Sequence, residues 1–146
     1  MSAQENIATV RRLFEGAFNT GDLTLADAAL DPNYVDHSTF APPAPGVEGF
    51  KLRMAGMRKT FPDLHFSVDD IFADGSGDKV TFRWTSRGTD QGGMMDRPAS
   101  GKLVVVTGIN IEYLAGGKIV QHWSAPDNLR MLQQLGVIPA PEQSGS

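Results

Sequence analysis

Hydrophobic residues in the N-terminal half of the chain recur at the spacing of an α-helix. Apolar side chains three and four positions apart predict a first helix that ends at Asn19-Thr20-Gly21, because glycine accepts the left-handed C-cap geometry. A shorter helix is predicted over 22–30, where Asp31-Pro32 stops it, and a third over 47–60, which Pro62 closes.

From residue 64 onward the hydrophobic period becomes two, which is the alternation of β-strands. The alternation predicts strands over 64–69, 80–85 and 103–114, and a short strand over 34–38 precedes the proline-rich loop 39–46. Helices lead and strands follow, so the pattern predicts an α+β domain with helices packed on one side of an antiparallel sheet.

A glycine-containing turn at Ala115-Gly116-Gly117 joins two apolar runs near the C-terminus, as in a β-hairpin. If the loop has these three residues, the register places Asn110 opposite His122 and Gly108 opposite Ser124. Side chains alternate between the two faces of a strand, so Asn110, His122 and Ser124 share one face. These polar residues either line a site or face solvent, as one face of an antiparallel sheet often does.

The opposite face of this hairpin is predicted to be apolar. It would carry Ile109, Ile111, Tyr113 and Trp123. A monomer would expose this stripe to water unless the last helix, predicted over 126–135, covers it. The stripe therefore predicts a homodimer.

Composition restricts the class of protein. The 146 residues fit one domain, 1–146, in which about 140–146 form a flexible tail. The formal net charge of -4 gives no basic surface for nucleic acid, and no apolar run approaches the roughly 20 residues of a membrane helix. The absence of cysteine and of a signal-peptide pattern suits the cytoplasm. Small molecules or other proteins are the expected partners.

The three histidines offer no metal-binding pattern. His37, His65 and His122 lack the spacing of metal ligands, so no metal site is expected. His122 and Ser124 also lack an evident third member for nucleophilic catalysis. A neutral imidazole can nevertheless act as a base or a donor at physiological pH, which keeps His122 as a candidate.

Several short motifs spread over nearly the whole chain point to one family. They are Val10-Arg11-Arg12, Phe18-Asn19-Thr20-Gly21, Phe61-Pro62-Asp63, Gly117-Lys118-Ile119-Val120-Gln121-His122-Trp123, Pro126-Asp127 and Leu132-Gln133-Gln134-Leu135-Gly136. With the order of elements, they resemble the SnoaL-like polyketide cyclases, which have the cone-shaped α+β fold of nuclear transport factor two. The resemblance implies a curved antiparallel sheet packed against three N-terminal helices plus a short C-terminal helix, around an apolar pocket.

The resemblance also implies a reaction. Cyclases of this family close a ring of an aromatic polyketide by intramolecular aldol condensation, without metal or cofactor. An aspartate two residues after the hairpin histidine acts as acid/base, and a histidine twelve residues before that histidine assists it. This chain has Ser124 and Asn110 at those positions. Serine cannot abstract a carbon-bound proton unaided, so the usual acid/base pair is replaced here.

The resulting hypothesis is a cofactor-independent enzyme of secondary metabolism, of the cyclase or isomerase type, acting on an apolar and aromatic substrate. His122 and Asp36 would transfer protons, while Asn110 and Ser124 would donate hydrogen bonds to a developing oxyanion. Substrate contacts are expected from a further set of large apolar side chains. They are Trp84, Phe82, Phe50, Met54 and Trp123.

Two alternatives to this hypothesis stay open. A chain that lost the acid/base pair but kept the pocket would be a non-catalytic homodimer that binds an apolar ligand. Some SnoaL-like proteins instead take part in polyketide hydroxylation, so the resemblance does not fix the reaction.

Overall fold

The helices lie mostly in the first half of the chain, as predicted. A computed structural model describes residues 2–38 and 43–141, so parts of the predicted loop 39–46 and tail 140–146 lie outside the described residues. The helical elements are α1 (Ala3–Arg11), a π-helical segment (Arg12–Gly16), α2 (Ala17–Thr20), α3 (Thr24–Ala29), α4 (Gly46–Thr60) and α5 (Asn128–Leu135). Within the described ranges, no helix is both long and apolar enough to cross a membrane.

The capping signals of the first helix act as the sequence predicts. The Ser2 hydroxyl accepts a hydrogen bond from the Glu5 amide at 3.1 Å, and Gly21 ends the helix with a φ of 75°. Between these ends, the Arg12–Gly16 segment has π-helical hydrogen bonding, which periodicity did not predict. This segment matters for the site because it carries Phe14, whose ring lies against the sheet.

Five strands form one sheet, and the sequence predicted each of them in outline. They are β1 (Leu30–Asp36), β2 (His65–Ala73), β3 (Lys79–Thr89), β4 (Leu103–Ala115) and β5 (Lys118–Pro126). The order across the sheet is β1-β5-β4-β3-β2, and all neighbours are antiparallel except β1, which runs parallel to β5.

The start of β1 corrects the sequence-based prediction. Leu30 and Pro32 were expected to end a helix, and the strand was expected over 34–38 only. The strand instead begins at Leu30, and its edge position tolerates Pro32, which has no amide to donate to a neighbour. This parallel edge places Asp36 beside His122, because their Cα atoms are register partners.

The hairpin of β4 and β5 has a different register from the predicted one. Its loop has two residues, Gly116 and Gly117, whose φ angles of 58° and 79° fit a tight hairpin turn. Val120 is then an extra residue in β5, a β-bulge without an opposite partner in β4. As a result Asn110 pairs with Ser124 rather than with His122.

The bulge decides which side chains of β5 point inward. The two-residue loop alone would shift the pairing by one position and turn His122 away from Asn110. Val120 adds a second shift of one position, which restores the predicted face. Asn110 and His122 are accordingly both buried on the inner side of the sheet. The predicted shared face is observed, although the predicted pairing is wrong.

The free edge of β4 beyond the end of β5 is covered by α5. The Gln134 side chain accepts a hydrogen bond from the Val105 amide at 2.8 Å and donates one to the Val105 carbonyl at 2.7 Å. One side-chain amide thus pairs with β4 as a neighbouring strand would. The helix lies at this edge, and Ile109 and Ile111 on the outer face of β4 remain 55% and 41% exposed.

A glycine in β4 leaves room for the indole ring of Trp84. Trp84 and Gly108 are register partners, and a Cβ atom at Gly108 would lie 2.3 Å from Cζ2 of Trp84. The indole therefore lies across the backbone at Gly108. From there its Nε1 donates a hydrogen bond to Oδ1 of Asn110 at 2.9 Å.

We predict that Gly108→Ala destabilises the protein by about 1–3 kcal/mol, because the new methyl group must displace a packed ring. Gly56→Ala is the matched control, since a Cβ at this position of α4 meets nothing within 4 Å. It should instead stabilise the helix by roughly 0.5–1 kcal/mol. Urea unfolding of both variants is the measurement, and equal stabilities would contradict the close packing of Trp84.

Candidate functional site

A cavity of about 380 Å³ lies between the inner face of the sheet and the helices, with α5 at one end. Its volume falls in the range of small-molecule sites. Most of its wall is apolar. The aromatic part of the wall consists of Phe14, Phe18, Phe50, Phe61, Phe66 and Trp84, and the methionines on it are Met57, Met94, Met95 and Met131.

Polar side chains enter this cavity from the strands that the sequence singled out. Asn110, His122 and Ser124 line it from β4 and β5, and Asp36 lines it from β1. The hairpin places the first three on one face, and the parallel pairing of β1 with β5 brings the fourth beside His122. All four residues proposed for chemistry therefore lie around one cavity.

Only some of the residues expected to contact substrate line the cavity. Trp84 and Phe50 line the cavity. Phe82 and Met54 are each 1% exposed and belong to the packed core, outside the cavity wall. Trp123 lies on the outer face and stacks on His37 with ring centroids 4.6 Å apart, against the expectation of a substrate contact. Its neighbour His122 points inward, so alternation along the strand sends Trp123 outward.

A buried carboxylate that the sequence analysis did not identify contacts His122. Glu112 is register partner of His122, and its Oε1 lies 2.5 Å from Nδ1 of the imidazole. The Glu112 side chain is fully buried, and its Oε2 has no hydrogen-bond partner within the described part of the chain. The sequence carried a signal for this buried position, because Glu112 lies at an even position of β4, on the face that also carries apolar inward residues. The predicted register was wrong and did not place Glu112 opposite His122, so the contact was missed.

Burial and mutual attraction set the protonation of this pair. Burial raises the pKa of Glu112 to about 7, against the opposing effect of His122. Burial acts to lower the pKa of His122, but the charge and hydrogen bond of Glu112 outweigh it and raise that pKa. Asp36 raises both pKa values further. The pair therefore holds a shared proton to a higher pH than an isolated histidine would.

A second charged pair stands beside the first. Asp36 is almost fully buried, and its Oδ2 lies 3.4 Å from Nη1 of Arg53 on α4. Its Oδ1 accepts a hydrogen bond from the Ser38 amide at 2.7 Å. Nearby on β1, burial raises the pKa of Tyr34 far above its ordinary range, so this phenol stays protonated. Asp36, Arg53 and His122 thus form the polar end of the cavity.

The amide of Asn110 has one defined orientation. The indole Nε1 of Trp84 can only donate a hydrogen bond, so the atom facing it at 2.9 Å must be the oxygen of Asn110. The Nδ2 group then remains, and it forms no hydrogen bond within the described ranges. Asn110 can therefore offer a hydrogen-bond donor to a ligand, beside the hydroxyl of its register partner Ser124.

Comparison with known proteins assigns the chain to a family. The sequence profile of the SnoaL-like polyketide cyclases matches residues 8–135, which is most of the chain. The chain belongs to the SnoaL-like polyketide cyclase family. A comparison with curated proteins found no match.

Solved structures agree with this assignment. AclR of Streptomyces galilaeus, a proposed hydroxylase, is 29% identical, with a TM-score of 0.84 over 97% of this chain and 87% of that one. TsrD of Streptomyces laurentii is 33% identical, with a TM-score of 0.79 over 90% and 97% of the two chains. IdmH of Streptomyces antibioticus, a proposed polyketide cyclase, is 32% identical, with a TM-score of 0.74 over 93% and 99%. The α+β cone fold predicted from the sequence is thus confirmed.

The SnoaL-like site offers hydrogen-bonding and proton-transfer groups. Within the described ranges, no group of three or more acidic or histidine side chains is arranged to hold a metal ion. The groups that face the cavity are an imidazole, a carboxylate paired with a guanidinium, an amide and a hydroxyl. In an apolar enclosure these groups can move a proton and stabilise a developing negative charge.

We predict that the SnoaL-like protein becomes less stable as pH rises from about 5 through the raised pKa of Glu112 at about 7, by on the order of 1–3 kcal/mol. Between the ordinary and the raised pKa values of Glu112 and His122, the folded protein holds a proton that the unfolded chain has released. The free energy of unfolding therefore falls through this window. Urea unfolding at several pH values measures it.

The variant Glu112→Gln should flatten this pH dependence, whereas His65→Gln, at an exposed position of β2, should leave it unchanged. The carboxyls of Asp63, Asp74 and Asp90 do not interfere, because their lowered pKa values act only in acid, below about pH 4. A natural protein whose stability increases between pH 6 and pH 9 would contradict the account of the pair.

Proposed function

We propose that the protein is a cofactor-independent acid/base enzyme of secondary metabolism, of the cyclase or isomerase type, whose substrate is apolar and aromatic. The observation that carries the proposal is the placement of His122 and Asp36 together at the polar end of an otherwise apolar cavity. Aromatic walls favour a flat ring system, and the polar end favours a reacting carbonyl group there. The absence of cysteine is consistent with a cytoplasmic location.

The proposed reaction transfers one proton and forms one carbon–carbon bond. His122 takes a proton from a carbon next to a substrate carbonyl, and the electron pair of that C–H bond moves to the carbonyl oxygen. The Nδ2 group of Asn110 and the hydroxyl of Ser124 donate hydrogen bonds to the resulting enolate. The enolate carbon attacks a second carbonyl of the same molecule, whose oxygen takes the proton back from His122. No oxidant is needed.

Asp36 has a supporting role in this proposal. Its charge favours the protonated imidazole, and so stabilises the state in which His122 holds the substrate proton. Arg53 pairs with Asp36 and compensates its charge beside an apolar wall. Ser124 occupies the position of the family's acid/base aspartate, so we expect the natural protein to cyclise slowly.

The test uses an anthraquinone-type polyketide ester, with ring closure followed by absorbance. His122→Gln should lower kcat by roughly 100- to 10,000-fold, the usual range for loss of a general base. Binding of the ester, followed by intrinsic tryptophan fluorescence, should change little because the aromatic walls hold the ring. The exposed His65→Gln is the matched control and should retain both properties.

Ser124→Asp provides the converse test. A carboxylate at this position would face the cavity and be partly desolvated, which raises its basicity. We expect it to increase the slow cyclisation of the natural protein. Unchanged turnover in His122→Gln would refute the proposed base, whereas tight binding without turnover in every form would favour the non-catalytic ligand-binding alternative.

Hydroxylation is a second candidate, because AclR, a proposed hydroxylase, is 29% identical over 97% of this chain. The same incubations distinguish the two reactions. Ring closure by aldol condensation does not add oxygen to the substrate, whereas hydroxylation does. Mass spectrometry of the product therefore separates a cyclase from a protein with a hydroxylation role.

We also propose that two copies of the chain associate through the outer face of the sheet. Ile109 and Ile111 are half-exposed there, and Tyr113 and Trp123 extend the same apolar stripe. α5 lies at the edge of β4, where it contacts Val105, and leaves this stripe accessible. An exposed apolar stripe of this kind is typical of an interface.

Sedimentation at tens of micromolar should then show a species of twice the 15.7 kDa chain mass. The double variant Ile109→Asp/Ile111→Asp should sediment as a monomer, because it places two charges in the interface. Leu52→Asp is the matched control, since Leu52 is equally exposed but lies on α4. A monomeric natural protein would exclude this dimer.

A further inference from the structure

A buried carboxylate contacts His122 but does not line the cavity. Glu112 has no exposed surface and does not line the cavity, yet its Oε1 lies 2.5 Å from Nδ1 of His122. We propose that Glu112 is the positioning residue that makes His122 the acid/base of this site. The proposal rests on the proposed function of His122, and it adds the residue that controls that histidine.

The hydrogen bond leaves one ring nitrogen for the substrate. Nδ1 of His122 is held by Glu112, so Nε2 is the nitrogen that remains for a ligand in the cavity. The imidazole is also packed against Phe14, with ring centroids 5.8 Å apart and nearly parallel planes. The ring is therefore fixed in both position and tautomer, which is what a general base requires.

The pair changes Nε2 between donor and acceptor by the gain or loss of one proton. When the pair holds two protons, one lies between Nδ1 and Oε1 and the other is on Nε2. This is true whether the inner proton belongs to Glu112 or to His122. When the pair has lost one proton, Nδ1 donates to Oε1 and Nε2 carries a free electron pair. His122 then accepts the substrate proton at Nε2 and later returns it.

Other charged groups around the pair do not replace Glu112. From β1, Asp36 faces the imidazole and raises its pKa, but Arg53 of α4 pairs with Asp36 and opposes part of this effect. Tyr34, also on β1, stays protonated and neutral. Glu112 is thus the carboxylate that makes direct contact with His122 and determines which nitrogen carries the proton.

The unpaired oxygen of Glu112 argues against a purely structural role. A buried carboxyl oxygen without a hydrogen-bond partner in the described part of the chain costs stability. An apolar side chain would fill this position of β4 more favourably, as Val104, Val106 and Leu114 do at equivalent inward positions. The cost is understandable if Glu112 serves His122, because functional sites commonly contain residues that reduce stability.

Glu112→Gln and Glu112→Asp test the inference, with His65→Gln as control. In Glu112→Gln, the loss of the carboxylate charge should lower the pKa of His122, so the acidic limb of the kcat/KM profile should move to lower pH by about one unit or more. The value of kcat should fall by roughly 100- to 10,000-fold, with little change in KM, because the tautomer-fixing carboxylate supports the general base. Glu112→Asp should recover part of this rate.

Nitrogen-15 NMR of the His122 ring gives an independent readout on the free protein. Above the titration of the pair, the natural protein should show the tautomer with hydrogen on Nδ1, and Glu112→Gln should lose this preference. A Nε2-protonated tautomer in the natural protein, or an unchanged kcat and pH profile in Glu112→Gln, would overturn the inference. So would a change in KM alone, because that result indicates a packing role.

The two proposals can fail separately. If no substrate is turned over, the proposed function fails, while the ring tautomer and the titration of His122 still decide whether Glu112 controls that histidine. If His122→Gln loses activity but Glu112→Gln does not, the function stands and the inference fails. If Glu112→Gln does not fold, Glu112→Asp and the NMR titration of the natural protein decide the question.

Discussion

The inner surface of the sheet depends on one extra residue in β5. Val120 forms the β-bulge that brings His122 back to the side of Asn110 after the two-residue turn. Without this bulge, the alternation of the strand would bury Trp123 and expose His122. The length of the hairpin is therefore a stricter requirement than the identity of most residues in it, since one deletion would exchange its two faces.

The shared face of Asn110, His122 and Ser124 was predicted correctly even though the predicted strand pairing was wrong. A three-residue loop and the actual combination of a two-residue loop with a bulge differ by two positions, and a shift of two leaves every side chain on its face. The same error concealed Glu112, because contact between particular residues depends on the pairing itself. β1 was predicted incompletely because its partner β5 is more than 80 residues away in the sequence, and periodicity carries no information about such pairing.

Polar groups around the cavity are held in pairs. Glu112 holds His122, Arg53 holds Asp36, and the Trp84 indole holds the oxygen of Asn110. For His122 and Asn110, the contact satisfies one end of a buried polar group and leaves the other end for the cavity. Asp36 is held at both oxygens, by Arg53 and by the Ser38 amide. An apolar enclosure makes such contacts necessary, because an unpaired polar group in it is costly. The sequence identified four of these residues, namely His122, Asp36, Asn110 and Trp84, but their orientation follows from neighbours that only the fold brings together.

The contact of Gln134 with Val105 also bears on aggregation through an open strand edge, which differs from the proposed dimer through the outer face. The stretch of β4 beyond β5 would otherwise offer an unpaired amide and carbonyl to any extended chain nearby, and such edges seed aggregation. α5 occupies this position with a single side chain. Because Met131 of the same helix closes one end of the cavity, the helix cannot leave the edge without opening the pocket. The pocket wall and the protected edge of β4 therefore depend on the same helix.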